Sequence, residues 1–125
     1  MSTALVLVDI QNDYFPGGRM ELAGSEAAGQ KAAQALQLFR KKGLPVFHVQ
    51  HLSAKLGATF FLPGTDGAKI NPCVTPVAEE PVIEKNFPNS FRNTVLLEKL
   101  KERKIERIVI AGMTTRMCID TTVRA

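Results

Sequence analysis

Three reactive side chains sit at the ends of apolar runs in this 125-residue chain. Asp9 follows Thr3–Val8 (TALVLV), Lys85 follows Val82–Glu84 (VIE), and Cys118 lies a few residues past Arg107–Ala111 (RIVIA). An acid–base group, a fixed cation and a thiol together make a set for acyl chemistry. Cysteine attacks as the thiolate, and a nearby ammonium or helix N-terminus lowers its pKa from about 8.5 to about 3.5–7.5. Asp9 can take the thiol proton and later hand it to a leaving amine, while Lys85 holds thiolate and carboxylate together. Free N–H groups at the start of a helix would stabilise the oxyanion, each worth about 3–4 kcal/mol. Gly112 lets the backbone turn sharply just before them.

Each residue also has a plain structural alternative. Asp9 suits a turn or a cap, and Lys85 suits a solvated position after an edge strand. Cys118 suits a small buried hydrophobe on a helix face. The case for chemistry rests on the three occurring together at strand ends.

The elements that must carry them follow from patterning. Thr3–Val8 is continuously apolar rather than alternating, as in a strand of a parallel sheet buried on both faces. Residues 11–24 hold Asn12-Asp13, Pro16-Gly17-Gly18 and Gly24, which is loop chemistry. Ser25 is the expected N-cap of a helix from Glu26 to Lys42. Ala28, Ala32, Ala35, Leu36 and Phe39 recur on it at helical spacing, and Gly43 takes the C′ position. A strand over Val46–Val49 comes next, then an irregular stretch from His51 to Pro81 rich in Gly and Pro. A loop of that length is usually functional, and an oligomer contact is the other option. Val82–Glu84 gives a short strand. Asn93 or Thr94 should cap a helix from about Val95 to Lys104. Arg107–Ala111 is a fourth buried strand, and a last helix is expected from near Thr115 to the end. Alternating strands and helices imply crossovers and a parallel sheet. The chain reaches Ala125 inside that helix, so at least one further strand is expected beyond it. Residues 1–125 are read as a single domain.

Composition narrows the class. The chain is 45% hydrophobic and 22% charged, with mean hydropathy −0.01 and a pI near 9.3. No run is long and apolar enough to span a bilayer, and no basic n-region precedes an apolar core, so a cytoplasmic protein without a membrane partner is expected. The net charge of +4 comes from Arg40-Lys41-Lys42 and from Lys99, Lys101, Arg103, Lys104 and Arg107. Both groups sit at helix ends, where cations oppose the dipole, and the second is interleaved with Glu98, Glu102 and Glu106. With no Trp and one Tyr, a base-stacking groove has no material, so no nucleic-acid partner is expected. The two cysteines, Cys73 and Cys118, make neither a disulfide framework nor a zinc cluster.

LVLVDIQNDY (Leu5–Tyr14), VIEKNFPNSF (Val82–Phe91) and VIAGMTTRMCID (Val109–Asp120) resemble the isochorismatase-like hydrolase superfamily, in order and spacing across nearly the whole chain. The resemblance implies an α/β fold, a three-layer α/β/α sandwich on a mostly parallel Rossmann-like sheet, here lacking its C-terminal strand and helix. It implies Asp9 as base, Lys85 as electrostatic partner and Cys118 as nucleophile. It further implies a cis peptide between Met113 and Thr114 that aims the Thr114 N–H, with that of Cys118, at the oxyanion. Isochorismatase proper lacks a nucleophilic cysteine here, so Cys118 points to a small-molecule amide or carbamoyl substrate. Nicotinamidases of the superfamily bind a metal through an Asp and several His. This chain offers only His48 and His51, with Ser53 at a ligand position, so neither metal nor other cofactor is expected. Many relatives carry His where this chain has Arg116. Tyr14, Phe15, Phe60, Phe61, Phe91 and Arg116 are candidate pocket residues. Asn86 and Arg92 could orient a polar substrate, Phe87 is assigned to packing, and Cys73 receives no role. A homodimer or higher homo-oligomer is expected.

Three rivals stand beside this reading. One is an isochorismatase-type hydrolase of another small molecule. A thiol-redox protein would need Cys73 as resolving partner, with Cα atoms within about 7 Å of each other. A catalytically idle binding domain is compatible with the same fold.

Overall fold

The computed structural model describes residues 3–53, 57–85, 96–112 and 119–122. Five strands form one sheet: β1 (Thr3–Val8), β2 (Val46–His51), β3 (Val82–Lys85), β4 (Arg107–Gly112) and β5 (Ile119–Thr122). Helix α1 (Ser25–Lys41) links β1 to β2, and α2 (Leu96–Glu102) lies between β3 and β4. The sheet order is β3-β2-β1-β4-β5. The first four strands are mutually parallel, and β5 is antiparallel to β4.

The continuous apolarity of β1 has the expected cause: helices cover both of its faces. Leu5 and Leu7 pack with Ala32, Leu36 and Phe39 of α1. Ala4 and Val6 face the other way and join Phe47, Val49, Ile83 and Ile108 with Leu96 and Leu100 of α2. Those two leucines are four apart, so they share one face of α2. This is the α/β layering that the alternation of elements predicts.

Helix α1 starts one residue earlier than expected. Gly24 is its N-cap, with φ 78°, and Ser25 is its first helical residue rather than its cap. Its end is as predicted. Gly43 takes φ 69°, its N–H donates to Arg40 O, and the Leu44 N–H donates to Phe39 O. That double closure satisfies two terminal carbonyls and requires the left-handed conformation that glycine adopts without strain. Strand β2 runs on to His51, and β3 includes Lys85, each slightly longer than its apolar core suggests.

The expected final helix is corrected at Ile119–Thr122, which forms β5. Two of its residues are Thr and one is Ile, β-branched side chains that favour the pleated surface. The outer edge of β4 supplies the unpaired N–H and C=O groups that such a segment can complete. The stretch after β2 is compact rather than loose. It holds short 3-10 turns at Asp66–Ala68 and Pro72–Val74. It is tied to the segment after β1 by Asn12 N–H to Lys69 O and Asn71 N–H to Ile10 O.

Candidate active site

In this topology the chain runs outward from β1 through β2 to β3, then returns to place β4 on β1's other side. The carboxyl edge at β1 and β4 is therefore the topological switch point, where open α/β sheets bind ligands. Asp9 is the first residue past β1, and Val8 is paired with Gly112 at the end of β4. Val8 is paired on the other side with Val49 of β2, and His51 with Lys85. Four strand ends thus meet at one rim.

Sequence reasoning puts Asp9 and Lys85 in one site, and the structure brings them together. Lys85 Nζ lies 3.3 Å from Asp9 Oδ2, with the lysine side chain fully buried and the aspartate's nearly so. Asp9 has φ 59°, a left-handed conformation uncommon outside glycine and tolerated by Asp. The Asp9 C=O accepts from the Gln11 N–H at 3.0 Å, so the chain turns out of the sheet and leaves the carboxylate at the rim. The second carboxylate oxygen, Oδ1, is buried with no hydrogen-bond partner among the described residues. Burial pushes the Asp9 carboxyl above its ordinary pKa, against the opposing pull of Lys85 and His51. That environment favours a group that takes up a proton readily.

His51 ends the strand between the two. Burial lowers its pKa first of all, with Asp9 and Lys85 acting in opposite senses, so it is neutral at neutral pH. Its ring lies 5.6 Å from that of Phe61. Tyr14 and Phe61 meet edge-on at 4.8 Å, and the Phe60 ring packs tilted against Phe61 at 4.9 Å. The Tyr14 hydroxyl is pushed up to about 12 by burial and by the Asp9 charge, so the ring stands within the field of that carboxylate. Tyr14, Phe60, Phe61 and His51 form one continuous ring cluster beside Asp9. Phe15 does not join it. Its ring lies against Gly29 of α1, as does Cys73 Sγ, in the core. Burial raises the pKa of Cys73 above that of a free thiol, which opposes thiolate formation there.

Cys118, Met113, Thr114, Phe91 and Arg116 lie outside the described residues, as do Asn86, Phe87 and Arg92. Helix-terminus activation of Cys118 loses part of its basis, because residues 119–122 are strand rather than helix.

Two residues missed by sequence reasoning build the rim. Gln11, fully buried, holds both backbone groups of His51. Its Oε1 accepts the His51 N–H at 2.9 Å, and its Nε2 donates to His51 O at 2.8 Å and to Ala68 O at 2.7 Å. Asp13, also buried, accepts the Phe61 N–H at 2.7 Å and the Arg19 N–H at 3.1 Å. Nothing in the local composition of residues 11–24, which reads as a polar loop, marks either residue as buried. Gly67 lets the 66–68 turn lie on the Asp13 carboxylate, where a Cβ would collide with it. Among the described residues no cluster of three or more His, Cys, Asp or Glu could hold a metal. An open cleft of about 590 Å³ lies between residues 12–19 and 65–72, and neither Asp9 nor Lys85 lines it. No described helix is long and apolar enough to cross a membrane.

The comparisons with known proteins agree with this architecture. The isochorismatase domain model matches residues 3–125. The isochorismatase family protein YddQ of Bacillus subtilis is 51% identical over 125 residues, all of this chain and 69% of that protein. An isochorismatase-hydrolase candidate from Oleispira antarctica superposes with TM-score 0.80 at 47% identity, over 87% of this chain and 59% of that one. An N-carbamoylsarcosine amidase from Thermoplasma acidophilum gives TM-score 0.83 at 27% identity, over 90% and 68%. The chain spans about two thirds of the length of these relatives. By the domain match and by the identity to YddQ, it belongs to the isochorismatase family.

Proposed function

We propose that this chain carries the catalytic residues of a hydrolase that cleaves the C–N bond of a small amide or carbamoyl compound through a thioester on Cys118. The observation that carries this reading is the buried Asp9–Lys85 contact of 3.3 Å at the sheet's switch point, with a carboxyl biased toward protonation. The similarity to a protein named as an amidase supports the choice of bond.

Cys118 gives its proton to Asp9, and the thiolate attacks the carbonyl carbon. The resulting oxyanion is met by the Thr114 and Cys118 N–H groups in the reading drawn from the family resemblance. Collapse breaks the C–N bond, and the Asp9 carboxylic acid protonates the departing amine. Water then attacks the thioester as Asp9 takes its proton, which frees the acid product and restores the thiol. Lys85 keeps positive charge beside whichever of the two partners is anionic. Electrostatic support for the thiolate is assigned to Lys85, since no helix follows at residues 119–122. The aromatic cluster of Tyr14, Phe60 and Phe61 suits a small, partly apolar substrate.

The test is a screen of carbamoyl, ureido and nicotinamide-like amides for ammonia release. Cys118→Ala should abolish turnover with the fold intact. Full activity in that variant would overturn the mechanism.

A further inference from the structure

The end of β2 shows an exchange between backbone and side chain that neither family membership nor the proposed reaction explains. In a parallel ladder, β1 would continue past Asp9. The Asp9 C=O would accept the His51 N–H, and the N–H of residue 11 would donate to His51 O. The last regular bond on this side is Asp9 N–H to Val49 O at 3.0 Å. Beyond it the Asp9 C=O is committed to the Gln11 N–H in the left-handed turn. The Gln11 and Asn12 backbone then pairs with Lys69 and Ile70 instead. Two inward-facing polar groups of His51 would be left without their ladder partners, at a cost of about 1–3 kcal/mol each when buried.

We infer that the Gln11 side-chain amide stands in for the missing strand, and that by bonding both His51 backbone groups it positions Asp9 and Lys85 for reaction. Its oxygen takes the bond the Asp9 C=O gave up, and one N–H makes the bond the residue-11 backbone gave up. The second N–H reaches Ala68 O, which also accepts from Gln50 Nε2 at 2.8 Å. All of this amide's donors are used, in a side chain with no exposure. On the opposite side of β2, His51 is in register with Lys85, and the Leu52 N–H donates to Lys85 O at 2.9 Å. One amide therefore closes a chain of contacts: the Asp9 turn, Gln11, the His51 backbone, then Lys85. Asp9 can leave the sheet in a strained conformation because Gln11 fills the gap behind it. Among the described residues the Gln11 side chain bonds neither the Asp9 carboxylate nor the Lys85 ammonium; it is a positioning residue. The inference rests on the reading of Asp9, Lys85 and Cys118 as one site.

The probe is iodoacetamide. The rate of alkylation at Cys118, located by mass spectrometry, is followed against pH in the full chain. In the unaltered protein the inflection should lie well below the free-thiol value of about 8.5. Gln11→Met keeps the length and removes every amide bond. It should move the inflection upward and slow labelling near pH 6.5 by about 10- to 100-fold, the scale of a misplacement near 1 Å. Hydrogen exchange at the His51 amide should accelerate at least about tenfold as its acceptor is lost, with Phe47 unaffected. Gln11→Glu, which keeps the acceptor and loses both donors, should shift the inflection in the same direction and serves if Gln11→Met does not fold. Leu36→Ala is the control, a core truncation under α1 that should leave the inflection in place. A Gln11 variant with the native inflection, or a Leu36→Ala shift of equal size, would overturn this role alone. An unaltered protein whose Cys118 titrates as a free thiol would sink the proposed function, and this role with it.

Discussion

Two buried carboxylates in this molecule face cations, and their proton affinities move in opposite directions. Glu80 is gripped on all sides: Arg40 binds it twice at 2.7 Å, His48 Nε2 lies at 2.8 Å, and the Val77 N–H donates at 3.3 Å. Burial pushes its pKa up, but the bonds from Arg40, His48 and Val77 outweigh burial and hold it at about 2. Asp9 has one ammonium at 3.3 Å and an oxygen with no described partner, and burial wins. A carboxylate surrounded by donors is a clamp, here joining the last turn of α1 to β2 and the 75–80 segment. A carboxylate buried with too few donors keeps an appetite for a proton. Ion pairing alone does not separate the two roles; the count of hydrogen bonds does.

The sharpest way to break this contrast is to neutralise each acid. Asp9→Asn should cut turnover by about 10²–10⁴-fold, the usual contribution of a positioned acid–base group. It should change stability by less than about 1 kcal/mol, because the site already disfavours the charged form. Steady-state kinetics and thermal melts on one preparation check both halves. A large loss of stability with turnover retained would reverse the assignment.

Glu80→Gln should do the opposite. Turnover should persist, while stability falls by about 1–3 kcal/mol as Arg40 and His48 lose their charged partner. The pH dependence separates the contributions. The folded pKa of Glu80 lies below its unfolded value, so its stabilisation is present above about 4.5 and is lost as pH falls toward about 2. Denaturant melts between those pH values should show a loss that Glu80→Gln lacks.

Gly67→Ala probes the rim without touching an ionisable group. Its Cβ would displace the Asp13 carboxylate and loosen the Phe61 N–H bond, lowering stability by about 1–3 kcal/mol as overpacking does. A melting temperature equal to the unaltered protein's would show that the turn gives way freely.

The smallest expected effect belongs to His48. Its Nε2 donates to Glu80, and its buried Nδ1 has no described partner, so the neutral ring fits the site. Its pKa is lowered, chiefly by burial. The unfolded chain therefore binds a proton first, and stability declines as pH drops below about 6.5. His51 shares that sign. His48→Asn should flatten part of this slope, by well under about 1 kcal/mol at pH 6 on the scale of a weakly populated protonation. An unchanged slope would assign the whole effect to His51.

Much of this was legible along the chain. Unbroken apolarity in Thr3–Val8 implies cover on both faces, and Leu96 and Leu100 do cover one of them. Gly43 marks the end of α1 because only a left-handed residue closes that turn cleanly. Asp9 and Lys85 were found as polar residues at strand ends, which a parallel sheet gathers at one rim. Ile119–Thr122 was misread, because helical expectation after a buried strand outweighed β-branched composition, and the free edge of β4 decided otherwise. Phe15 was named as a candidate pocket residue with Tyr14, Phe60 and Phe61, and its ring lies against Gly29 of α1, because neighbours in a tight turn point in different directions.

The order of residues by itself determined the four parallel strands of the sheet, where α1 stops, and which acid and which amine stand at the carboxyl ends. Those are local consequences of side-chain period and backbone freedom. Only the tertiary structure decided that the pKa of Glu80 is held down while burial pushes that of Asp9 up, and that an amide from Gln11 completes the ladder of a strand 40 residues away. Proton affinity and hydrogen-bond partnership depend on how many donors surround a group in three dimensions. That number is fixed by packing among distant segments and is not written at any one position of the chain.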